Sequence, residues 1–454
     1  MTDKSGIGNP VAQVPCQSHL LWLPFVLSYA SAVAENQPTT KNRVHKVLSI
    51  FAARLREAIQ GRDAALRRPV GVARGPGLDL LFDSLALELF ALQFQHNTAY
   101  RKICEARGRT PRTVEHWTQI PAAPTAAFKE LELTCLPPSE RIAVFHSSGT
   151  TEQKHSRHFH NAESLLVYET SLWLWFEQNV LRSADGSSAG SEKLGQAVRA
   201  PIGMICLTPL PEQAPHSSLA HMFETVRQKM GAAKTTFVGT IATDGAWTLD
   251  FDAVLAALAP GSGTPGPRPH LLLGTAFSFV HLLDYLVENH LRVQLPAGSR
   301  VMETGGYKNR SRAMPKEELH ALITEYLGVP GENIICEYGM SELSSQAYGV
   351  TGDTWQVSGE AASSCHLSPV TGHFHFPPWA RVQIISPETG RVVADGETGL
   401  IRVLDLANVF SVMAVQTEDL GIRRGGGFEL MGRARMAELR GCSLMSAQIA
   451  NRKS

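Results

Sequence analysis

The chain of 454 residues lacks any excess of charge: 42 Lys and Arg stand against 42 Asp and Glu, and only 19% of residues are charged. That is below the roughly 25% of an average soluble protein. Neither nucleic acid nor an anionic membrane surface is therefore drawn to it by a global field, and no nucleic-acid partner is expected. It also lacks an apolar run of the roughly 20 residues needed to span a bilayer, so stable membrane insertion is not expected. The seven cysteines, 16, 104, 135, 206, 336, 365 and 442, include no CxxC pair. This argues against a structural zinc site or a disulfide framework and for a reducing compartment. A Walker loop of the GxxxxGK[ST] form is missing, and no internal repeat is evident. What remains, with 43% hydrophobic residues, 38 Gly and 26 Pro, is the composition of a soluble globular protein of one large or several smaller units.

Residues 1–75 read as a variable N-terminal extension. Within it, 20–34 (LLWLPFVLSYASAVA) resembles the apolar core and cleavage site of a signal peptide, although only Lys4 supplies positive charge before it. The plainer reading, which outweighs it, is an apolar N-terminal helix or a start codon placed too early. Residues 41–68 are basic with helical periodicity, and a Gly/Pro-rich hinge follows at 71–77. Residues 78–104 have continuous helical spacing. Beyond them strands are expected at 141–146, 202–208, 270–273, 300–303 and 333–337, alternating with helices at 163–180, 277–290 and 315–327. That alternation predicts an α/β fold with a mostly parallel sheet covered by helices on both faces. Residues 183–191 and 260–269 are Gly/Ser/Pro-rich and read as surface insertions. After residue 380 short strands at 381–386, 391–394 and 400–406, separated by turns, predict a small β-meander subdomain at about 380–432.

The sharpest motif is Ser147-Ser148-Gly149-Thr150-Thr151-Glu152-Gln153-Lys154, directly after the expected strand Val144-Phe145-His146. Hydroxyls, backbone N–H groups and a glycine in such a loop suit phosphate oxygens. An ordinary Ser/Thr turn before a helix has the same composition. Further motifs follow in order: 90–104, 120–130, Glu303-Thr304-Gly305-Gly306-Tyr307-Lys308, Tyr338-Gly339-Met340-Ser341-Glu342, Gly396-Glu397-Thr398-Gly399, Thr417-Glu418-Asp419, and Gly432-Arg433 with Arg440-Gly441-Cys442-Ser443-Leu444. Together these resemble the adenylate-forming (AMP-binding) superfamily and, within it, the acyl-protein synthetase (LuxE) family, over roughly residues 76–450.

The resemblance implies an ATP- and Mg²⁺-dependent acid–thiol ligase that makes an acyl-adenylate from a fatty or other carboxylic acid. The acyl group would then pass to a cysteine thiol for delivery to a partner reductase or acyltransferase. On that reading Ser147, Ser148, Gly149, Thr150, Thr151 and Lys154 hold phosphates, and Thr151 and Glu342 hold Mg²⁺. Gly305, Gly306, Tyr338 and Gly339 border the nucleotide, Asp419 binds the ribose hydroxyls, and Arg433 contacts the nucleotide. Lys154 or Lys308 would assist adenylation. Cys442, 12 residues before the last position and close to Arg433, Arg435 and Arg440, is the implied acyl-accepting nucleophile; positive charge nearby favours the thiolate.

Only 22 residues follow Gly432, so the mobile C-terminal lid of ordinary adenylate-forming ligases, with its lysine, is expected to be missing or reduced. Transfer to coenzyme A or a carrier protein is the alternative enzymatic reading, and a catalytically silent nucleotide-binding subunit the alternative of another class. An ATP-using enzyme with unpaired cysteines is expected in the cytoplasm, which weighs against a functional signal peptide. His155, His158 and His160, and the pair His373 and His375, have loose metal-ligand spacing but are read as satisfied or exposed histidines. Trp173, Trp175 and Phe176 read as core, or as the wall of an acyl tunnel.

Overall fold

A computed structural model describes residues 40–61, 76–147, 154–181, 203–231, 235–259, 268–305, 314–350 and 373–434. The apolar stretch 20–34, the insertion 183–191 and most of 260–269 lie outside the described residues. The chain divides into two units, Met1–Val47 and Leu48–Ser454. Of the first, only the opening turns of a helix are described.

That helix is α1 (Thr40–Gln60). In the second unit its residues Leu48, Phe51, Leu55 and Ile59, spaced three and four apart, are buried in one cluster with Phe82, Leu89 and Phe90. The next helical stretch is not one helix but two, α2 (Pro76–His96) and α3 (Thr98–Ala106). The break has a local cause: Asn97 leaves the helical conformation, and its side chain accepts the Tyr100 N–H as an N-cap. β1 (Ala123–Pro124) and α4 (Ala127–Glu130) follow.

β2 (Ala143–His146) and β3 (Arg157–His160) pair antiparallel with each other. The strand expected at 141–146 is thus present, but it stands in a two-stranded sheet of its own rather than in the parallel one. The reason is that β3 returns within a dozen residues, which only an antiparallel pair permits. α5 (Ala162–Phe176) opens on a capping box between Asn161 and Ser164 and ends in a π-helical turn, Glu177–Leu181.

The main sheet is assembled from β4 (Gly203–Cys206) and, after α6 (Ser218–Met230), β5 (Thr235–Phe237). A small hairpin, β6 (Gly239–Ile241) and β7 (Trp247–Leu249), leads into α7 (Phe251–Leu258). β8 (His270–Thr275), α8 (Ala276–Glu288), β9 (Arg300–Thr304), α9 (Lys316–Leu327), β10 (Ile334–Tyr338) and β11 (Ala347–Val350) complete it. The order is β11-β10-β9-β8-β4-β5, parallel throughout except for the edge strand β11. Alternate strand residues feed two cores. Leu272, Val301 and Ile334 join Phe279, Leu283 and Ile323 of α8 and α9, whereas Leu271, Leu273 and Met302 join Tyr168, Trp175 and Phe223 of α5 and α6. The sheet is doubly covered, as the continuous apolar strands required.

β12 (Ala380–Ile385), β13 (Thr398–Asp405), β14 (Ala414–Arg424) and β15 (Gly427–Arg433) form an antiparallel meander, with β1 added in parallel to β14. The stretch expected as a strand at 391–394 contributes a single bridge, Ile385 to Val392, because the turn returns directly into Thr398. Among the described residues no helix is long and apolar enough to cross a membrane.

Candidate functional site

In open α/β sheets ligands bind beyond the carboxyl ends of the parallel strands. Here those ends carry Thr304-Gly305 on β9 and Tyr338-Gly339 on β10, side by side, with Thr304 in register with Glu337. Gly305 has φ +72, a conformation that a side chain would strain. At Gly339 a Cβ would collide with Glu337 Oε1, so any larger residue would have to displace this carboxylate. Gly306 and Lys308 lie outside the described residues.

Side chains alternate along β10, so Tyr338 and Glu337 leave on opposite faces. The Tyr338 ring packs against Phe374, Phe376 and Phe428, and its hydroxyl donates to Asp419 Oδ2 at 3.0 Å. Asp419 in β14 is in register with Arg433 in β15, whose Nε lies 3.5 Å from its Oδ1. Burial raises the Asp419 carboxyl above its ordinary value, with Arg433 and the Tyr338 hydroxyl opposing the rise. Three of the residues expected at the nucleotide are thus in contact, although Tyr338 and Asp419 are 81 positions apart.

A second set joins the base of the expected phosphate loop to Glu342. Ser147 Oγ accepts the Ser156 N–H at 3.0 Å, Ser156 Oγ meets Ser341 Oγ at 3.3 Å, and Ser341 Oγ donates to Glu342 Oε2 at 3.0 Å. His155 donates from Nδ1 to the Ser147 carbonyl at 2.7 Å, and His158 from Nδ1 to the Ser341 carbonyl at 2.8 Å. A carbonyl only accepts, so both rings carry the Nδ1 proton. Burial lowers His158 to about 4 and holds it neutral. Ser148, Gly149, Thr150 and Thr151 lie outside the described residues. Lys154 is described, and it is turned to the surface, paired with Glu130 at 2.8 Å.

Beyond Glu342 the chain is held from the β subdomain. Asp405 accepts the Ser344 and Ser345 N–H groups at 2.9 and 2.8 Å, and Asn408 donates to the Glu342 carbonyl at 2.9 Å. Asp405 is buried, and burial raises it to about 6 against those hydrogen bonds. Neither residue, nor Ser156, stood out in the sequence: an Asp at a strand end and a Ser in a polar loop look like turn residues until the tertiary contacts are placed.

Of the histidines expected to be satisfied or exposed, His155 and His158 make the bonds just given, and the buried His160 has Nδ1 3.2 Å from Ser164 Oγ, while its Nε2 has no hydrogen-bond partner among the described residues. Trp175 is core, edge-on to Trp379. One set of three described side chains has metal-ligand proximity, Glu303, His320 and Cys336, all buried. Lys316 already occupies the Glu303 carboxylate, and with His320 it overrides burial and lowers that acid. The cluster is an internal ion pair that ties α9 to the end of β9, directly before Gly305.

Glu337 is the acid that sequence reading left unassigned. A carboxylate in a strand that is apolar on both sides was the available signal. Thr304 Oγ1 donates to its Oε2. Burial raises Glu337 from 4.5 to about 7. The folded state therefore holds this proton more tightly than the unfolded chain, so its contribution to stability is complete below pH 4.5 and is lost as pH rises through 7. Between pH 4.5 and pH 8, wild type should lose on the order of 3 kcal/mol more unfolding free energy than Glu337→Gln. Urea titrations across that range measure the difference; parallel curves for the two proteins would refute it.

The chain is similar to known proteins over most of its length. The long-chain-fatty-acid–luciferin-component ligase of Aliivibrio fischeri is 23% identical over 381 residues, spanning 81% of this chain and 88% of that protein. The ligase of the same name from Vibrio harveyi is 22% identical over 376 residues, spanning 80% and 87%. Among solved structures, an open conformation of 2-hydroxyisobutyryl-CoA ligase with its adenylate and CoA shares the fold, with TM-score 0.53 and 12% identity over 78% of this chain and 74% of that one. The same ligase in its postadenylation state gives a TM-score of 0.54 at 12% identity, covering 78% and 67%. The family profile described as acyl-protein synthetase, LuxE, matches residues 181–450, more than half of the chain, and runs through β4 to β15. The chain is a ligase that belongs to the LuxE acyl-protein synthetase family.

Proposed function

We propose that the protein activates a carboxylic acid, of the fatty-acid class on which its named relatives act, and hands the acyl group to its own Cys442. A carboxylate oxygen attacks the α-phosphorus of ATP, the bond from that phosphorus to the pyrophosphate oxygen breaks, and an acyl-adenylate forms. The Cys442 thiolate then attacks the acyl carbonyl, the bond to AMP breaks, and a thioester results for a reductase or another acyl acceptor. Residues 76–450 would carry both steps. Cys442 itself lies outside the described residues.

The observation that carries this reading is the convergence, at the ends of β9 and β10, of two differently equipped groups. The Tyr338–Asp419 pair, with Arg433, offers an acceptor and a cation suited to ribose hydroxyls and nucleotide. The Ser147–Ser156–Ser341–Glu342 chain connects the loop after β2 to a buried carboxylate. Two anions must meet for adenylation, so positioning and charge neutralisation are what the site has to supply. Glu342 and the hydroxyls around it are oxygen donors only, which fits the hard cation Mg²⁺; Glu342 and Thr151 would hold it, and when bound it neutralises phosphate oxygens. Lys154 reaches phosphate only by leaving Glu130. That exposed pair is weak, so the exchange costs little. Gly305, Gly306 and Gly339 would let the base approach the backbone. The described cysteines, 104, 135, 206 and 336, are free thiols, which accords with a cytoplasmic setting.

The test is incubation of the full chain with ATP, Mg²⁺ and radiolabelled fatty acids, followed by denaturing gels and peptide mass mapping. A hydroxylamine-labile acyl adduct on the peptide containing Cys442 is expected. Carboxylate-dependent pyrophosphate exchange with the label on another residue, or on none, would overturn the self-acylation step.

A further inference from the structure

Glu303 of β9 and Cys336 of β10 are register partners in a parallel pair, two residues beyond the partners Val301 and Ile334, so their side chains leave the sheet on one face. Val301 and Ile334 pack with Leu319 and Ile323 of α9, which therefore covers that face. On α9, Lys316 and His320 are four positions apart and lie on one side of the helix. Three elements thus bring a carboxylate, an imidazole and a thiol to one point. His320 Nε2 is 3.5 Å from Glu303 Oε1 and 3.8 Å from Cys336 Sγ, and the three donor atoms all lie within 4.8 Å of one another. No CxxC spacing announces this group, because each donor comes from a different element.

The distances suit a single ion. Tetrahedral zinc, with bonds of about 2.3 Å to sulfur and about 2.1 Å to nitrogen or oxygen, sets sulfur and nitrogen about 3.6 Å apart, and nitrogen and oxygen about 3.4 Å apart. The observed 3.8 and 3.5 Å are close to those edges. Glu303, Cys336 and His320 are 0, 2 and 4% exposed, and Glu303 Oε2 has no hydrogen-bond partner among the described residues. A buried carboxylate oxygen left unpaired is costly, and a cation is the partner that would satisfy it. Burial opposes ionisation of Glu303, yet Lys316 and His320 lower it to about 2, so the carboxylate is charged at neutral pH. Burial, and then the Glu303 charge, push the Cys336 thiol up, so its proton leaves only in exchange for a metal.

We propose that Glu303, His320 and Cys336 form a binding site for Zn²⁺ or a similar thiophilic divalent cation, sharing no residue with the proposed Mg²⁺ site at Glu342. Lys316, which pairs with Glu303, is the group that the ion replaces. Its side chain is 25% exposed, so the ammonium can turn to solvent without crossing the core. On binding, the Cys336 thiol gives its proton to solvent, and the ion bonds to Sγ, to His320 Nε2 and to the carboxylate, with water or the second carboxylate oxygen as the fourth donor. A thiolate is soft and Mg²⁺ hard, so this mixed set selects against Mg²⁺. The ion would lock β9, β10 and α9 together directly before Gly305.

The test is titration of the chelator-treated full chain with Co²⁺, followed by absorption spectroscopy. Wild type should take up one Co²⁺ with a thiolate-to-metal charge-transfer band and tetrahedral d–d bands, release about one proton per ion bound, and give up the Co²⁺ to Zn²⁺ but not to millimolar Mg²⁺. The charge-transfer band should vanish in Cys336→Ser and persist in Cys442→Ser, and the affinity should fall in His320→Gln. Lys316→Met should bind Co²⁺ about tenfold or more tightly than wild type, because it leaves Glu303 as a buried charge that the metal alone can neutralise. Zn²⁺ should likewise raise the urea midpoint of Lys316→Met, which a simple ion pair would not allow. Absence of the band in both wild type and Lys316→Met, or a band that survives in Cys336→Ser and His320→Gln alike, overturns the inference and leaves the four residues as an ion pair.

Discussion

Glu342→Gln should lower carboxylate-dependent pyrophosphate exchange by about a hundredfold or more, the scale found when one preorganised electrostatic contact is removed from an active site. The substitution keeps the shape and still offers an oxygen to the Ser341 hydroxyl, which donates to Glu342 Oε2 at 3.0 Å. Unfolding free energy should therefore change by no more than about 1 kcal/mol. What disappears is a negative charge, buried and reached from the base of the loop after β2 through Ser156 and Ser341. If that charge helps to hold Mg²⁺, the loss should appear mainly as a higher Mg²⁺ requirement, partly recovered at millimolar Mn²⁺, while the chain stays folded. Exchange measured against Mg²⁺ concentration in both proteins decides it. An unchanged rate at limiting Mg²⁺ would remove Glu342 from the site.

The second large effect is on folding. Asp405→Ala should destabilise the protein by about 4 kcal/mol. Its carboxylate accepts the backbone N–H groups of Ser344, Ser345 and Ala407 at 2.9, 2.8 and 3.0 Å, and the Ser345 hydroxyl at 2.7 Å. Alanine would leave three buried backbone donors unpaired, each at a cost of about 1 to 3 kcal/mol with some relaxation between them, while the Ser345 hydroxyl can turn to Ser171 Oγ, 2.9 Å away. Asp405→Asn keeps one acceptor and should fall between the two. Equilibrium urea unfolding measures both variants. Ser344 and Ser345 directly follow Glu342 and Leu343, so pyrophosphate exchange should fall in Asp405→Ala even at temperatures where it remains folded. A variant as stable as wild type would mean that water replaces the carboxylate, against its full burial.

These two residues show what could be read in advance and what could not. Glu342 was legible because its type and spacing, Tyr338-Gly339-Met340-Ser341-Glu342 after an apolar strand, make a local motif. Asp405 was invisible, since its side chain acts on loop backbone 60 residues earlier, a tertiary contact that no local pattern encodes. The same division runs through the fold. Apolar runs between amphipathic segments foretold β4, β8, β9 and β10 with α8 and α9, because hydrophobic periodicity is a local property. The break at Asn97 and the separation of β2 and β3 from the main sheet depend on capping and pairing, where one side chain or one return of the chain outweighs periodicity.

By itself, then, the sequence determined the chemistry on offer: a hydroxyl-rich loop after a strand, an acid in each of two motifs, a late cysteine, and strands apolar enough to be covered on both faces. Residue types and their spacing travel with the chain and need no folding to be recognised. The tertiary structure alone decided which of these groups meet. It set Asp419 on the Tyr338 hydroxyl, joined Ser147 to Glu342, sent Lys154 to Glu130, and left Gln346 Oε1 and the Tyr348 hydroxyl buried with no hydrogen-bond partner among the described residues. Contacts between residues far apart in the chain follow from strand order, register and the alternation of faces, which packing of the whole core selects.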